Sequence, residues 1–564
     1  MKTATGALLG ATALVLAACG GLDDDPVVVP QLSAATGATL PSCTDLATRI
    51  VIADTTITAA SAVAAGTLTV GGQPVPEHCR VTGRLLPRTG PVDGQPYAIG
   101  FEMRLPTAWN GRFWHQANGG TDGAVGTATG ALGGGPTTHA LAKGFAVLSS
   151  DAGHTGQGPN FGIDPQARLD YGYQAVGKLT PVAKEAIRIA YGKAPDRSYL
   201  GGCSNGGRHA MVAASRYAND YDGLVAGNPG TVLPRAAIAN IAGYQTYAAL
   251  ATNPADVSTG FTVAERTLVS NAVLARCDAL DGAADGMVQA TATCQTAFSL
   301  DRDVPTCTGA RDGSCLTAAQ KTGIGRLFAG ATTSTGTLVY APFPWDTGLY
   351  TNGWGPAWKF GAPPSRDAGA IAFIWQVPPL ATAGFDGDAF ARTSSIDDLL
   401  AKVQATNATY TEAATSFMSP PNPTDLSALR NRGAKLLMYH GTADPIFSST
   451  ESATRYDAIR AARGGDASDF ARLFLIPGMN HCSGGPATDQ FDVIQPLVDW
   501  VERGIAPESI TAQARGPGNP GGVNADVPAG WSATRTRPLC PYPQVARYRG
   551  TGSAEAAASF ECRL

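Results

Sequence analysis

Ser198-Tyr199-Leu200-Gly201-Gly202-Cys203-Ser204-Asn205-Gly206-Gly207-Arg208 is the stretch on which the fold turns. A short β-rich run leads into a glycine-rich turn, and a helix-like run from His209 to Ser215 follows. Gly202-x-Ser204-x-Gly206 fits a nucleophile elbow in the context such a motif needs, strand before and helix after. In so tight a turn, side chains at the flanking positions would clash, which is the reason for glycine there. With 68 glycines in the chain, an ordinary loop serine also fits the bare pattern.

Working outward, Phe145-Ala146-Val147-Leu148 and Arg112 to Gln116 read as strands. Thr180-Pro181 reads as the start of a helix with Val182, Ala186, Ile189 and Ala190 at helical spacing. Late in the chain, Lys435 to His440 and Arg472 to Ile476 are two more apolar runs ending in turns. Strands alternating with helices predict a mostly parallel sheet and an α/β architecture. Between the halves, residues 228–424 are rich in Gly, Ala, Thr and Pro and carry Trp345, Trp354, Trp358 and Trp375. An insertion of that size predicts a lid domain, with the hydrolase core divided into 42–227 and 425–564.

A serine hydroxyl needs a histidine base, and the histidine needs a carboxylate to orient it. In an α/β-hydrolase these partners follow the serine in the order Asp, His. Asp444 lies in His440-Gly441-Thr442-Ala443-Asp444-Pro445, and His481 in Pro477-Gly478-Met479-Asn480-His481-Cys482, each just past a strand. Asp489 and Asp492 are fallback acids, and His440 and His154 are expected to be structural. A non-catalytic lipoprotein that binds aromatic esters on an inactive hydrolase scaffold is the alternative from another class, and the complete triad speaks against it.

Residues 1–18 carry Lys2, an apolar run from Ala7 to Val15 and Leu16-Ala17-Ala18, which predicts an export signal ending before Cys19. Lipoprotein cleavage would leave Cys19 bearing a lipid, and plain secretion at an alanine-rich site is the alternative. Residues 19–41, with Asp23-Asp24-Asp25, read as a tether. The expected location is the periplasm or cell envelope, with membrane attachment only through Cys19. Net charge is -4 from 41 basic and 45 acidic residues, without a basic cluster, so a nucleic acid is an unsuitable partner. A monomer is expected.

Eleven cysteines become ten once Cys19 is set aside, and an even number in an oxidising compartment implies disulfides. Many pairings are open. Proximity favours Cys277 with Cys294 and Cys307 with Cys315. If the triad forms, Cys203 and Cys482 flank serine and histidine and must be neighbours. That leaves Cys43 with Cys79 and Cys540 with Cys562.

The Cys-Ser, Asp, His-Cys constellation resembles the tannase and feruloyl esterase family. The resemblance spans nearly the whole chain after the signal, including Gly201 to Arg208, Pro477 to Gly485 and Arg537-Pro538-Leu539-Cys540-Pro541-Tyr542-Pro543. It implies an acyl-serine esterase for small aromatic esters with a disulfide between the two cysteines, and within the family it is most similar to hydrolases of terephthalate half-esters. Ferulate and gallate esters are the alternative substrates.

For the oxyanion, the N–H of Asn205 is one expected donor, and the resemblance implies Gly120, in Asn118-Gly119-Gly120-Thr121-Asp122-Gly123, as the other. A plain turn is the alternative there. Asp278, Asp281 and Asp285 fall within eight residues among glycines, as suits either a calcium loop or a solvated turn. The resemblance implies structural calcium in the lid, held by those side chains and the carbonyls of Ala283 and Met287. No organic cofactor is implied. It further implies Arg366 as the reader of a substrate carboxylate, with Trp358 and Phe447 against the ring; a surface lid charge is the other reading of Arg366. The chain departs from those half-ester hydrolases at Ala370 and Ile371, where they have a phenylalanine gate followed by serine.

Overall fold

The computed structural model describes Met1, residues 29–132 and residues 139–564. The signal segment and Cys19 lie outside the described residues apart from Met1. The end of the expected tether does not hang free. Ala38–Thr39 pairs antiparallel with Ala108–Trp109, the Ala35 N–H donates to Glu502 at 2.9 Å, and Leu40 is buried.

Among the described residues, nine strands build the central sheet: β1 Thr55–Val63, β2 His78–Thr89, β3 Pro96–Pro106, β4 Arg112–Gln116, β5 Ala146–Ser150, β6 Arg197–Cys203, β7 Gly223–Gly227, β8 Lys435–Gly441 and β9 Ala471–Ile476. They lie in the order β9-β8-β7-β6-β4-β5-β3-β2-β1. From β9 to β5 every pairing is parallel, and β3, β2 and β1 add an antiparallel flank. This is the α/β-hydrolase architecture expected, with a flank that the run of parallel strands did not foretell.

Alternate side chains along the parallel strands enter opposite cores, as a period of two requires. Leu200, Leu436 and Met438 pack on one face, and Tyr199, Leu437 and Tyr439 on the other. Two helices flank the site: α1 Ala175–Tyr191 and α2 Asn205–Arg216. Helix α1 corrects the expectation of a start at Thr180-Pro181. It runs on from a π-helical turn at Asp170–Gln174, so Pro181 is interior and Thr180 is no cap: its hydroxyl donates to the Val176 carbonyl at 2.7 Å.

No strand of the central sheet falls between Gly227 and Lys435. That stretch is mainly helical and forms the lid; its buried residues, among them Trp354, Phe328, Tyr247 and Ile371, share one apolar cluster with Phe161, Tyr171 and Phe447 of the hydrolase part. Arg168 pins lid to core by donating to the carbonyls of Phe373 at 2.9 Å and Gln376 at 3.2 Å. Among the described residues no helix is long and apolar enough to cross a membrane. Five disulfides among the described residues join Cys43–Cys79, Cys203–Cys482, Cys277–Cys294, Cys307–Cys315 and Cys540–Cys562, the expected pairing, and they suit export to an oxidising compartment.

Candidate active site

Ser204 stands between the end of β6 and the start of α2 with φ 65° and ψ -124°, left-handed backbone that a serine rarely adopts. The neighbouring glycines are compulsory. A Cβ on Gly202 or on Gly206 would come within 2.3 Å of the Ala117 carbonyl oxygen. The turn therefore lifts a half-buried Ser204 above the strand ends, as a nucleophile elbow should.

Asp444 follows β8, and His481 follows β9. His481 Nδ1 lies 2.8 Å from Asp444 Oδ2, which leaves Nε2 on the far edge of the ring, where a base would act. Asp444 is fully buried and well satisfied. Asn228 Nδ2 donates to Oδ2 at 2.8 Å, and the N–H groups of Ile446 and Phe447 donate to Oδ1 at 2.8 and 3.1 Å. Burial works to raise this carboxyl, but the charge of His481 and the bonds from His440 and His481 outweigh it and hold the group well below the usual carboxylate range. His440 belongs to this support, bonding Ser452 Oγ and the Phe447 carbonyl.

The fallback acids do other work. Asp489 pairs with Arg515, and Asp492 pairs with Lys143 and accepts from the Ile494 N–H. His154 is buried and stacked on Phe161 at 3.5 Å.

The bridge from Cys203 to Cys482 sets their Cα atoms 6.1 Å apart across 279 residues of sequence. It binds the residue before the serine to the residue after the histidine, so Ser204 and His481 are neighbours. Cys482, like Ser204, has positive φ, at 66°.

The expected oxyanion loop follows β4. A Cβ on Gly119 would lie 3.8 Å from Ser204 Cβ, so this loop passes beside the nucleophile; Gly120 follows with φ 65° and open space at its Cβ position. Asn205 is the first residue of α2.

The lid, through Trp358, and the loop after β8, through Phe447, meet at His481. Trp358 and Phe447 set their rings edge-on to His481, 5.5 and 5.2 Å between centroids. The Arg366 guanidinium stands 5.1 Å over the Trp358 ring and pairs through Nε and Nη2 with buried Asp367, at 2.8 and 2.6 Å. Ala370 and Ile371 are buried in the apolar cluster that the lid shares with the hydrolase part. Trp358, Arg366 and Ala370 sit on three successive π-helical segments, Pro356–Gly361, Pro363–Asp367 and Ala370–Trp375. Such turns are rare and often mark functional sites.

The lid also buttresses the acid loop. Trp354 Nε1 donates to the Ala443 carbonyl at 2.8 Å, and Asp346 accepts from the Thr442 hydroxyl at 2.7 Å. Sequence reading missed Asp346, Asn228 and Asp122, whose pattern in the chain carries no motif.

At the aspartate loop, Asp278 accepts from the N–H groups of Asp285, Gly286 and Met287. Asp281 Oδ2 and Asp285 Oδ1 are buried without a hydrogen-bond partner. Burial, with the nearby charges of Asp285 and Asp278, pushes Asp281 up to about 7. Among the described residues, no group of three or more His, Cys, Asp or Glu side chains is placed to hold a metal ion.

A family model for tannase and feruloyl esterase matches residues 79–563. A mono(2-hydroxyethyl) terephthalate hydrolase of Piscinibacter sakaiensis is 40% identical over 534 residues, 88% of this chain and 86% of that protein. An uncharacterized esterase of Xanthomonas campestris is 31% identical over 92% of this chain and 91% of its own length. Among solved structures, feruloyl esterase B from Aspergillus oryzae superposes with a TM-score of 0.74 at 25% identity, covering 92% of this chain and 99% of that one.

Proposed function

The chain belongs to the tannase and feruloyl esterase family and is a carboxylic ester hydrolase, and from that premise we propose that it cleaves half-esters of aromatic diacids, mono(2-hydroxyethyl) terephthalate foremost. The observation that carries this reading is Arg366 set over Trp358, whose ring in turn meets the edge of His481. A flat acyl group lying between Trp358 and Phe447 would point its ester carbonyl at Ser204 and its free carboxylate at a guanidinium, the residue suited to planar, bidentate recognition.

In the reaction, Ser204 Oγ attacks the ester carbonyl and His481 Nε2 takes its proton, while Asp444 keeps Nδ1 protonated and stabilises the imidazolium. The tetrahedral oxyanion receives the N–H groups of Gly120 and Asn205, each worth roughly 3 kcal/mol of barrier. His481 then hands its proton to the leaving alcohol, and water, activated by the same base, releases the acid from the acyl-serine.

A second reading, esters of phenolic acids such as ferulate or gallate, has its own support. Arg366 already spends two N–H groups on Asp367, which cancels its charge in part.

Calcium would bind at the aspartate loop. It suits the two unpartnered carboxylate oxygens of Asp281 and Asp285, and it draws on the carbonyls of Ala283 and Met287, which a count of acidic side chains leaves out. Asp278 would have to share an oxygen now given to loop amides. Its role there would be structural. Attachment to the cell envelope through a lipid on Cys19 belongs to the same proposal.

The test is product release from mono(2-hydroxyethyl) terephthalate, methyl ferulate and methyl gallate side by side. Arg366→Ala should lower kcat/KM on the half-ester by roughly 10- to 100-fold, as loss of a charged hydrogen-bond partner would, and change the two methyl esters less than about 3-fold. A wild-type preference for ferulate or gallate, indifferent to Arg366, would overturn the half-ester assignment.

A further inference from the structure

The two N–H groups assigned to the oxyanion come from separate parts of the chain, and one rides on a loop with glycines at 119, 120 and 123. Glycine leaves such a backbone many conformations, whereas an oxyanion hole works only when its donors are fixed beforehand. Something must hold Gly120 against the elbow.

A closed ring of buried polar groups does so. On α2, Asn205, Arg208 and His209 stand at i, i+3 and i+4 and share one helix face. Asn205 Nδ2 donates to Asp122 Oδ2 at 2.8 Å, and His209 Nε2 lies 3.1 Å from the same oxygen. Arg208 Nε donates to Asn205 Oδ1 at 2.6 Å, which fixes the amide with its N–H toward the carboxylate. The Arg208 Nη groups donate to the carbonyls of Tyr171 at 3.0 Å and Gly172 at 2.6 Å. The Tyr171 hydroxyl donates to the Gly120 carbonyl at 3.2 Å, and the Asp122 N–H to the Gly119 carbonyl at 3.2 Å.

Asp122, Asn205, Arg208, His209 and Tyr171 are all at most 5% exposed. Burial pushes the Asp122 carboxyl well above the ordinary carboxylate range and the Arg208 guanidinium below its own, so both groups are held here at a cost, and apolar packing would hold this region at least as well. What such a network adds is fixed geometry. Asp122 itself has left-handed backbone, φ 55°, an unfavourable conformation that its side-chain bonds maintain.

We propose that Asp122 is a positioning residue for catalysis: bonded to Asn205 and His209, it clamps the glycine loop to the elbow helix and so fixes the spacing of the Gly120 and Asn205 N–H donors. This rests on the acyl-serine reading with those two donors. Asp122 touches neither substrate nor triad and acts through the backbone it holds.

The experiment compares wild type with Asp122→Ala, Asp122→Asn, His209→Gln and Ser204→Ala on a p-nitrophenyl aryl ester, together with the affinity for an aryl boronic acid, which forms a tetrahedral adduct on serine, and for the product acid. Misplacing a donor by about 1 Å costs on the order of 100-fold, so Asp122→Ala should lose about that much in kcat with KM changed less than about 3-fold. Boronate affinity should fall in step while product affinity holds. Asp122→Asn, which keeps the shape and an acceptor oxygen, should recover to about 3- to 10-fold below wild type, a conservative rescue that a general packing defect would not give. Should Asp122→Ala fail to fold, Asp122→Asn and His209→Gln carry the test, each with a loss in kcat and boronate affinity alone. Wild-type kcat in the folded variants, or a loss shared equally by boronate and product binding, overturns the clamp. An active Ser204→Ala would instead overturn the acyl-serine reading beneath it.

Discussion

At the strand ends of the core, Ser204 and His481 sit on backbone held by a sheet and by the Cys203–Cys482 bridge, whereas across the cleft Trp358, Arg366 and Ala370 ride on π-helical turns, each in or beside a proline-started segment. The core buries its strands among aliphatic and aromatic side chains. Both sides bury charge, the core in the Asp122–Arg208 network and the lid in Lys359 and Asp367, the last beside the less buried Arg366. The contrast teaches a division of labour. Chemistry is placed by strand ends and a disulfide, and the acyl pocket by lid turns, with Trp354 and Asp346 as the points where the lid braces the acid loop.

The comparison breaks first if the bridge is idle. Replacing Cys203 and Cys482 together by serine should lower kcat by roughly 10- to 100-fold through loss of serine-to-histidine alignment, with stability falling by about 2–5 kcal/mol. Cys307→Ser with Cys315→Ser, a bridge over 8 residues within the lid, should leave kcat within about 2-fold of wild type. Equal kcat losses from both pairs would remove the distinction between core and lid.

A smaller effect tests the lid alone. A calcium chelator should lower the melting temperature by several degrees, as loss of a ligand bound only to the folded state must, and Asp281→Asn should abolish that response. A protein indifferent to chelator and to added calcium would remove calcium from the aspartate loop.

The smallest concerns buried charge. Lys359 is enclosed by Phe343 and Trp354, with its ammonium 4.4 and 4.9 Å from their ring centres, and burial pushes it down to about 7 against the pull of Asp444 and Asp367. An unfolded lysine keeps its proton up to about 10.4, so between those values the unfolded chain binds more protons than the folded one. The penalty is then complete below about pH 7 and is relieved as pH rises toward 10. Lys359→Met should therefore raise the melting temperature by a few degrees near pH 6, the gap shrinking above about pH 7 and closing only toward about pH 10. A gap independent of pH would assign it to packing.

How much of this was legible follows the same division. Strand β4 spans Arg112–Gln116 as read, and the triad loops, the elbow and three of the bridges announce themselves through residue types whose chemistry or proximity restricts their neighbours, the other two following only as the remaining pairs. The antiparallel flank went unread although His78 to Leu85 alternates; its outward positions hold Arg80, Thr82 and Arg84, and its weak apolar signal was lost beside the stronger parallel runs. Pro181 misled because proline ordinarily opens a helix, and here it is carried inside one. In the lid, Pro356, Pro363 and Pro364 suggest loop, and the π-helical turns that follow depend on tertiary packing. The Asp122 network was hidden for a further reason: its members come from three distant segments, and only the folded sheet brings them together.

The most direct test of the central claim is peptide mapping after reaction with a p-nitrophenyl alkylphosphonate, which traps an activated serine. The expected result is a single modified residue, Ser204, appearing in proportion to the activity lost, with no adduct in Ser204→Ala. Inactivation with Ser204 unmodified, or an adduct on another serine that tracks the loss, would contradict the account.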